Sequence, residues 1–159
     1  MSAKISITVT VNGRAYTEAV EPRLLLADFL RETLDLTGTH VGCEHGICGA
    51  CTILMDGDSV RSCLTFAVQA DGAIIETVES LGDEDNLSDL QAAFREHHAL
   101  QCGFCTPGML MTATDMLRKY PLASDEEIRD GLSGNICRCT GYEHIVRAVR
   151  AAAGKREAP

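Results

Sequence analysis

The chain has 159 residues, 45% apolar but only 4% aromatic and with no Trp, so its core must be built from aliphatic side chains in one or two small domains. A net charge of −9 and a pI near 4.9 argue against a nucleic-acid surface, which needs a basic patch, and fit a soluble protein. No apolar run approaches the ~18 residues of a membrane span, and the opening MSAKISITVTVNG alternates polar and apolar residues instead of carrying a signal-peptide core, which points to the cytoplasm.

Residues 4–20 read as a hairpin. Ile5, Ile7, Val9 and Val11 alternate with polar residues, Asn12-Gly13 is the type I′ turn dipeptide, and Tyr16 to Val20 returns. Leu25, Phe29, Leu30 and Leu34 fall at helical spacing and predict a helix over 24–36. A glycine-rich loop, 38–51, follows. Residues 52–55 and 59–62 flank Asp56-Gly57 as a second hairpin, and 73–78 make a last short strand. These elements suggest a small mixed sheet over one helix.

Beyond the acidic stretch 79–86 the pattern turns helical. Ser88 caps a segment with Leu90, Ala93, Phe94 and His97 on one face. Thr106 as N-cap with Pro107 behind it starts a helix to about Tyr120, striped by Met109, Leu110, Ala113, Met116 and Leu117. Ser124 and Glu127 form a capping box for a short helix ending near Gly131. Residues 143–153 make a final helix, and 154–159 read as a frayed tail. The expected fold class is α+β, with a first domain over 1–79 and a helical domain over 80–159.

Eight cysteines fall into two sets of four. Cys43, Cys48, Cys51 and Cys63 are spaced C-x4-C-x2-C-x11-C, the plant-type 2Fe–2S spacing, which implies an electron carrier. Such a core with four thiolates is anionic, and Gly42, Gly46 and Gly49 let the loop curl and aim backbone N–H groups at it. Cys63 is expected to close the site from a separate strand. Zinc sites favour repeated C-x2-4-C pairs, which this set does not match. A Rieske centre needs two His ligands, and only Cys43-Glu44-His45 offers one, so His45 reads as a loop residue beside the cluster. His40, His97, His98 and His144 show no ligand spacing. With no export signal, disulfides are disfavoured.

The second set, Cys102, Cys105, Cys137 and Cys139, is spaced C-x2-C-x31-C-x-C. Each pair stands just before a predicted helix, so two helix N-termini offer N–H groups and positive dipole ends to an anionic cluster. Spacing alone leaves 2Fe–2S and zinc both open here. No Ser/His/Asp set, P-loop or GxGxxG is present, so the chain carries no substrate site of its own.

GCEHGICGACTILMDG (42–57), QCGFCTPGM (101–109) and GNICRCTGY (134–142) together resemble the small iron–sulfur subunit of the molybdenum hydroxylases. This is the xanthine oxidase-like family, which includes aerobic carbon monoxide dehydrogenase and bacterial hydroxylases of N-heterocycles. The resemblance covers about residues 4–153. It implies a β-grasp ferredoxin domain followed by a four-helix domain with a second 2Fe–2S cluster. It also implies that the helical-domain cluster lies nearest a molybdenum–molybdopterin cofactor, whose pterin touches Gln101 and Cys139. The implied function is to relay single electrons from molybdenum in a large partner subunit to FAD in a medium subunit, within a dimer of heterotrimers. Substrate and direction then belong to the large subunit. The alternative, a stand-alone ferredoxin-like carrier, leaves the helical half without a role.

Overall fold

The computed structural model describes residues 3–121 and 124–156. β1 (Ile5–Val11) and β2 (Arg14–Val20) pair antiparallel, and their turn residues Asn12 and Gly13 both take positive φ, 50° and 79°, as a type I′ turn requires. The Asn12 side chain also bonds Thr77 through both its amide atoms, at 2.8 and 2.9 Å. This ties the turn to the residue after β5 (Ile74–Glu76). β3 (Thr52–Met55) and β4 (Asp58–Arg61) form the second hairpin. The sheet order is β2-β1-β5-β3-β4, with β5 parallel to β1 and antiparallel to β3. Ile7, Val9 and Val11 point from one face of β1 into a core shared with Leu26, Phe29, Leu30, Ile53 and Ile75. Each such side chain contributes about 1.5–3 kcal/mol on burial.

The helix expected over 24–36 is shorter and wider. It begins as α1 (Leu26–Asp28) and continues as a π-helical turn, Phe29–Thr33. The reason is long-range. Leu26 N–H donates to Thr65 O at 2.7 Å and Ala67 N–H to Leu24 O at 2.8 Å, so residues 24–25 are extended partners of a distant segment and cannot start a helix. The π turn is closed by Leu34 N–H on Phe29 O, and both Phe29 and Leu30 are buried. Cys63 also departs from expectation. It lies in a 3₁₀ turn, Ser62–Leu64, directly after β4, and not in a strand.

The helical half contains α2 (Asp89–Glu96), α3 (Thr106–Lys119), α4 (Asp125–Gly131) and α5 (Glu143–Arg156). Ser88 caps α2 in a box with Gln91, and Ser124 caps α4 with Glu127. Two expectations shift. Cys105, not Thr106, occupies the N-cap of α3. α5 runs on through residues 154–156, expected to be frayed, while 157–159 lie outside the described residues. This half has its own core, with Phe94, Met109, Ile128, Leu132, Ile145 and Val149 at its centre.

The two halves meet where α3 lies along β3 and β4. Arg118 makes a two-pronged pair with Glu76 at 2.6 and 2.8 Å, and Lys119 reaches both Asp58 and Asp115 at 2.6 Å. The Arg118–Glu76 and Lys119–Asp58 pairs cross between the halves and are part-exposed, so they set the orientation of the halves more than they hold the fold, whereas Lys119–Asp115 lies within α3. Among the described residues, no helix is long and apolar enough to cross a membrane.

Candidate metal centres

The loop carrying Cys43, Cys48 and Cys51 is bent by residues in the left-handed region, Glu44 (φ 58°), Gly46 (φ 76°) and Gly49 (φ 74°). The curl aims the N–H groups of His45 and Cys48 at Cys43 Sγ, each at 3.4 Å. His45 is thus a backbone donor beside the site, with its ring exposed. Gly42 is needed for another reason. A Cβ there would stand 3.2 Å from Cys48 Sγ and 3.3 Å from the Phe104 ring.

The thiols of this set are electrostatically unequal. N–H donation from Cys48 and His45 draws Cys43 down to about 6. Burial pushes Cys63 up to about 11, with Cys51 beside it adding to the effect. Cys51 and Cys63 are only 1% and 3% exposed. Four sulfurs, two of them deeply buried, beside backbone N–H donors would hold a metal cluster that offsets the charge of the buried thiolates and spreads the remaining negative charge over sulfur. None of the eight cysteines is in a disulfide.

In the second set, Cys102 Sγ and Cys139 Sγ stand 3.5 Å apart. A disulfide would hold them at about 2.05 Å, whereas a tetrahedral metal with metal–sulfur bonds of about 2.3 Å spaces two thiolates about 3.7 Å apart. Cys105 sits at the N-cap of α3, as a ligand facing a helix dipole should. Burial, then Cys137 beside it, pushes its thiol up to about 12. Cys137 shifts the other way. Burial opposes its ionisation, but hydrogen bonds from the Thr140 hydroxyl at 3.1 Å, the Cys139 N–H, the Thr140 N–H at 3.4 Å and Cys105 together outweigh it. The hydrogen bond with Cys102 raises Cys139. The donors expected from the N-terminus of α5 are replaced at Cys137 by Thr140, three residues before α5 begins.

The second set also has a direction. Gln101, Cys102 and Cys139 are exposed, Cys105 is half-buried and Cys137 is buried. The two cysteine loops touch at several points. Ile136 N–H donates to Cys48 O at 2.8 Å, and Asn135 Nδ2 donates to Gly49 O at 3.1 Å. His40 stacks on Phe104 with ring centroids 4.9 Å apart, its Nδ1 2.8 Å from Phe104 O. Sequence reasoning missed Thr140, Asn135, Arg61 and this ring pair. Thr140 had a local signal, a hydroxyl three residues after a ligand. The others act across more than sixty positions of chain and had none.

Two family models match the chain. One, described as "2Fe-2S iron-sulfur cluster binding domain", covers residues 9–81. The other, "[2Fe-2S] binding domain", covers residues 77–150 and decides for iron–sulfur over zinc where spacing left both open. The chain is 59% identical to the nicotine 6-hydroxylase small subunit of Paenarthrobacter nicotinovorans, over 97% of this chain and 93% of that one. It is 58% identical to the caffeine dehydrogenase subunit gamma of Pseudomonas sp. strain CBB1, over 91% and 88% respectively. Among solved structures, quinoline 2-oxidoreductase from Pseudomonas putida 86 aligns with a TM-score of 0.92 at 54% identity, covering 98% of this chain and 99% of the aligned one. The chain belongs to the small iron–sulfur subunits of the xanthine oxidase-like molybdenum hydroxylases, the electron-transfer subunits of multi-subunit oxidoreductases, with two 2Fe–2S domains.

Proposed function

We propose that this chain takes electrons one at a time from a molybdenum–molybdopterin centre in a large partner subunit and passes them inward through the helical domain to the ferredoxin domain, and on to FAD in a medium subunit. Cys102, Cys105, Cys137 and Cys139 hold the entry site, and Cys43, Cys48, Cys51 and Cys63 hold the exit site. When bound, each 2Fe–2S core supplies a one-electron couple. The protein's part is to hold the thiolates, donate N–H and O–H groups to sulfur, and limit water. His45, Cys48 and Thr140 supply such donors. The observation that carries this reading is the exposure gradient. Cys102 and Cys139 open to the surface beside Gln101, while Cys137 is buried next to the Ile136 N–H that reaches Cys48.

Gln101 and Cys139 are the proposed pterin contacts, since an exposed amide offers both donor and acceptor beside the outermost sulfur. The two separate cores support a domain boundary near 79/80, with Val78 already packed against the helical one. A dimer of heterotrimers and a cytoplasmic setting complete the proposal. The rival of a stand-alone carrier is disfavoured because the exposed outer face of the helical domain would then serve nothing.

The order is tested with Cys139→Ser in the assembled complex. The expected outcome is slower substrate-driven reduction of both clusters with the ferredoxin-domain cluster intact. Unchanged stopped-flow kinetics would contradict the order.

A further inference from the structure

The two cysteine loops are held together by a node of polar groups that neither loop needs for its own ligation. Asn135 is only 2% exposed. Its Nδ2 donates to Gly49 O at 3.1 Å, and its Oδ1 accepts from Thr112 Oγ1 at 2.9 Å. Arg61 reaches the same point from the end of β4. Its Nη1 donates to Thr52 Oγ1 at 2.7 Å, and its Nη2 donates to Gly134 O at 2.8 Å and, at a longer 3.5 Å, to Asn135 Oδ1. Thr52 Oγ1 in turn donates to Gly49 O at 2.6 Å. Among the described residues no carboxylate pairs with Arg61, and its Nε is buried without a partner. A guanidinium held on carbonyls and a hydroxyl, with one N–H unspent, is a costly arrangement for stability alone.

What this node fixes is the seam itself. Gly49 and Gly134–Asn135 pack so closely that a Cβ on Gly49 would lie 2.6 Å from both Asn135 Nδ2 and Gly134 O. The residue on each side of this contact is a sulfur ligand or its neighbour. Cys48 precedes Gly49, and Ile136 and Cys137 follow Asn135. In that register the Ile136 N–H falls on the Cys48 carbonyl at 2.8 Å. A continuous route therefore runs from Cys137 Sγ along its own side chain and the peptide bond to Ile136, across this hydrogen bond, and down Cys48 to its Sγ.

We propose that Asn135 and Arg61 are positioning residues for transfer between the two sites: they lock the two cysteine loops in the register that sets the Ile136 N–H on the Cys48 carbonyl, and so fix the separation that the electron crosses. The inference rests on the relay reading above. One electron leaves the second site and one enters the first; no bond forms or breaks and no proton moves. The Arg61 guanidinium, left without a carboxylate, also places a fixed positive charge at the seam between two anionic centres.

The test uses the full chain with both clusters loaded, as wild type, Asn135→Ala and Arg61→Met. Two readouts are taken at matched iron content. The first is hydrogen exchange at the Ile136 amide. The second is the rate at which the two cluster EPR signals equilibrate after a sub-stoichiometric reducing pulse. In both variants the Ile136 amide should exchange about tenfold faster, and equilibration should slow by at least about tenfold. Faster exchange with unchanged equilibration would overturn the role of this register in transfer, and no change in either would overturn the positioning role. If Asn135→Ala fails to load iron, Arg61→Met, whose side chain is only partly buried, decides the matter on the same readouts. Wild-type chain that shows no equilibration would instead sink the relay reading.

Discussion

At the scale of single residues, the sites are shaped by hydrogen bonds to sulfur. Thr140 gives Cys137 two donors, and a donor to sulfur stabilises the extra negative charge of the reduced state. Thr140→Val should therefore lower the reduction potential of the helical-domain cluster, while Thr140→Ser should restore it. A redox titration followed by EPR checks this, and a raised or unchanged potential in the Val variant would contradict it. The eight ligands and the bending glycines were legible in the sequence, because ligand spacing and positive-φ glycine are local signals. Gly46 and Gly49 take the positive φ expected of them. Gly42 serves by its lack of a side chain next to Cys48 and Phe104, and only the folded chain reveals that contact.

At the scale of elements, local chemistry was legible and long-range chemistry was not. Both hairpin turns, the Ser88 cap and the Ser124–Glu127 capping box follow from dipeptides and local cap signals, and they stand where the sequence places them; the Gln91 half of the Ser88 box is added by the structure. The helix over 24–36 was overdrawn because Leu24 and Leu26 hydrogen-bond to residues 65–67, some forty positions away. The start of α3 was displaced by one residue because the true N-cap is a cysteine, a residue type with no capping signature. The first turn of α3 also presses on the ferredoxin loop. A Cβ on Gly108 would lie 2.1 Å from Gly49 O and 3.0 Å from Ala50 Cα. Gly→Ala in a helix ordinarily gains up to about 1 kcal/mol from propensity. Here the clash is with backbone, which cannot swing aside, so Gly108→Ala should destabilise the loaded chain by about 1–3 kcal/mol in urea unfolding. A stabilised variant would show that α3 and the loop are not in the contact described.

At the scale of the whole molecule, two cores of aliphatic side chains are joined along a polar seam. The Arg118 guanidinium beside Glu76 holds that carboxyl below its ordinary 4.5, with burial opposing. A depressed carboxylate contributes fully above its unfolded value and loses its contribution as pH falls through the folded one. Glu76 and Arg118 are part-exposed, so a double-mutant cycle with Glu76→Gln and Arg118→Gln should give a coupling of about 0.5–1 kcal/mol at neutral pH. The coupling should be smaller at about pH 4, and one that does not fall on acidification would contradict the assignment. The composition of the sequence showed two halves and which cysteines each contributes. It could not show that the two cysteine loops meet, because Arg61, Gly49 and Asn135 become neighbours only when α3 docks on β3.

The central claim is that both cysteine sets hold iron–sulfur clusters and form one relay. The most direct measurement is iron, zinc and acid-labile sulfide per chain after anaerobic expression. About four iron and about four sulfide, without zinc, is the predicted result. About two iron, two sulfide and one zinc would make the helical half a structural zinc site and contradict the relay.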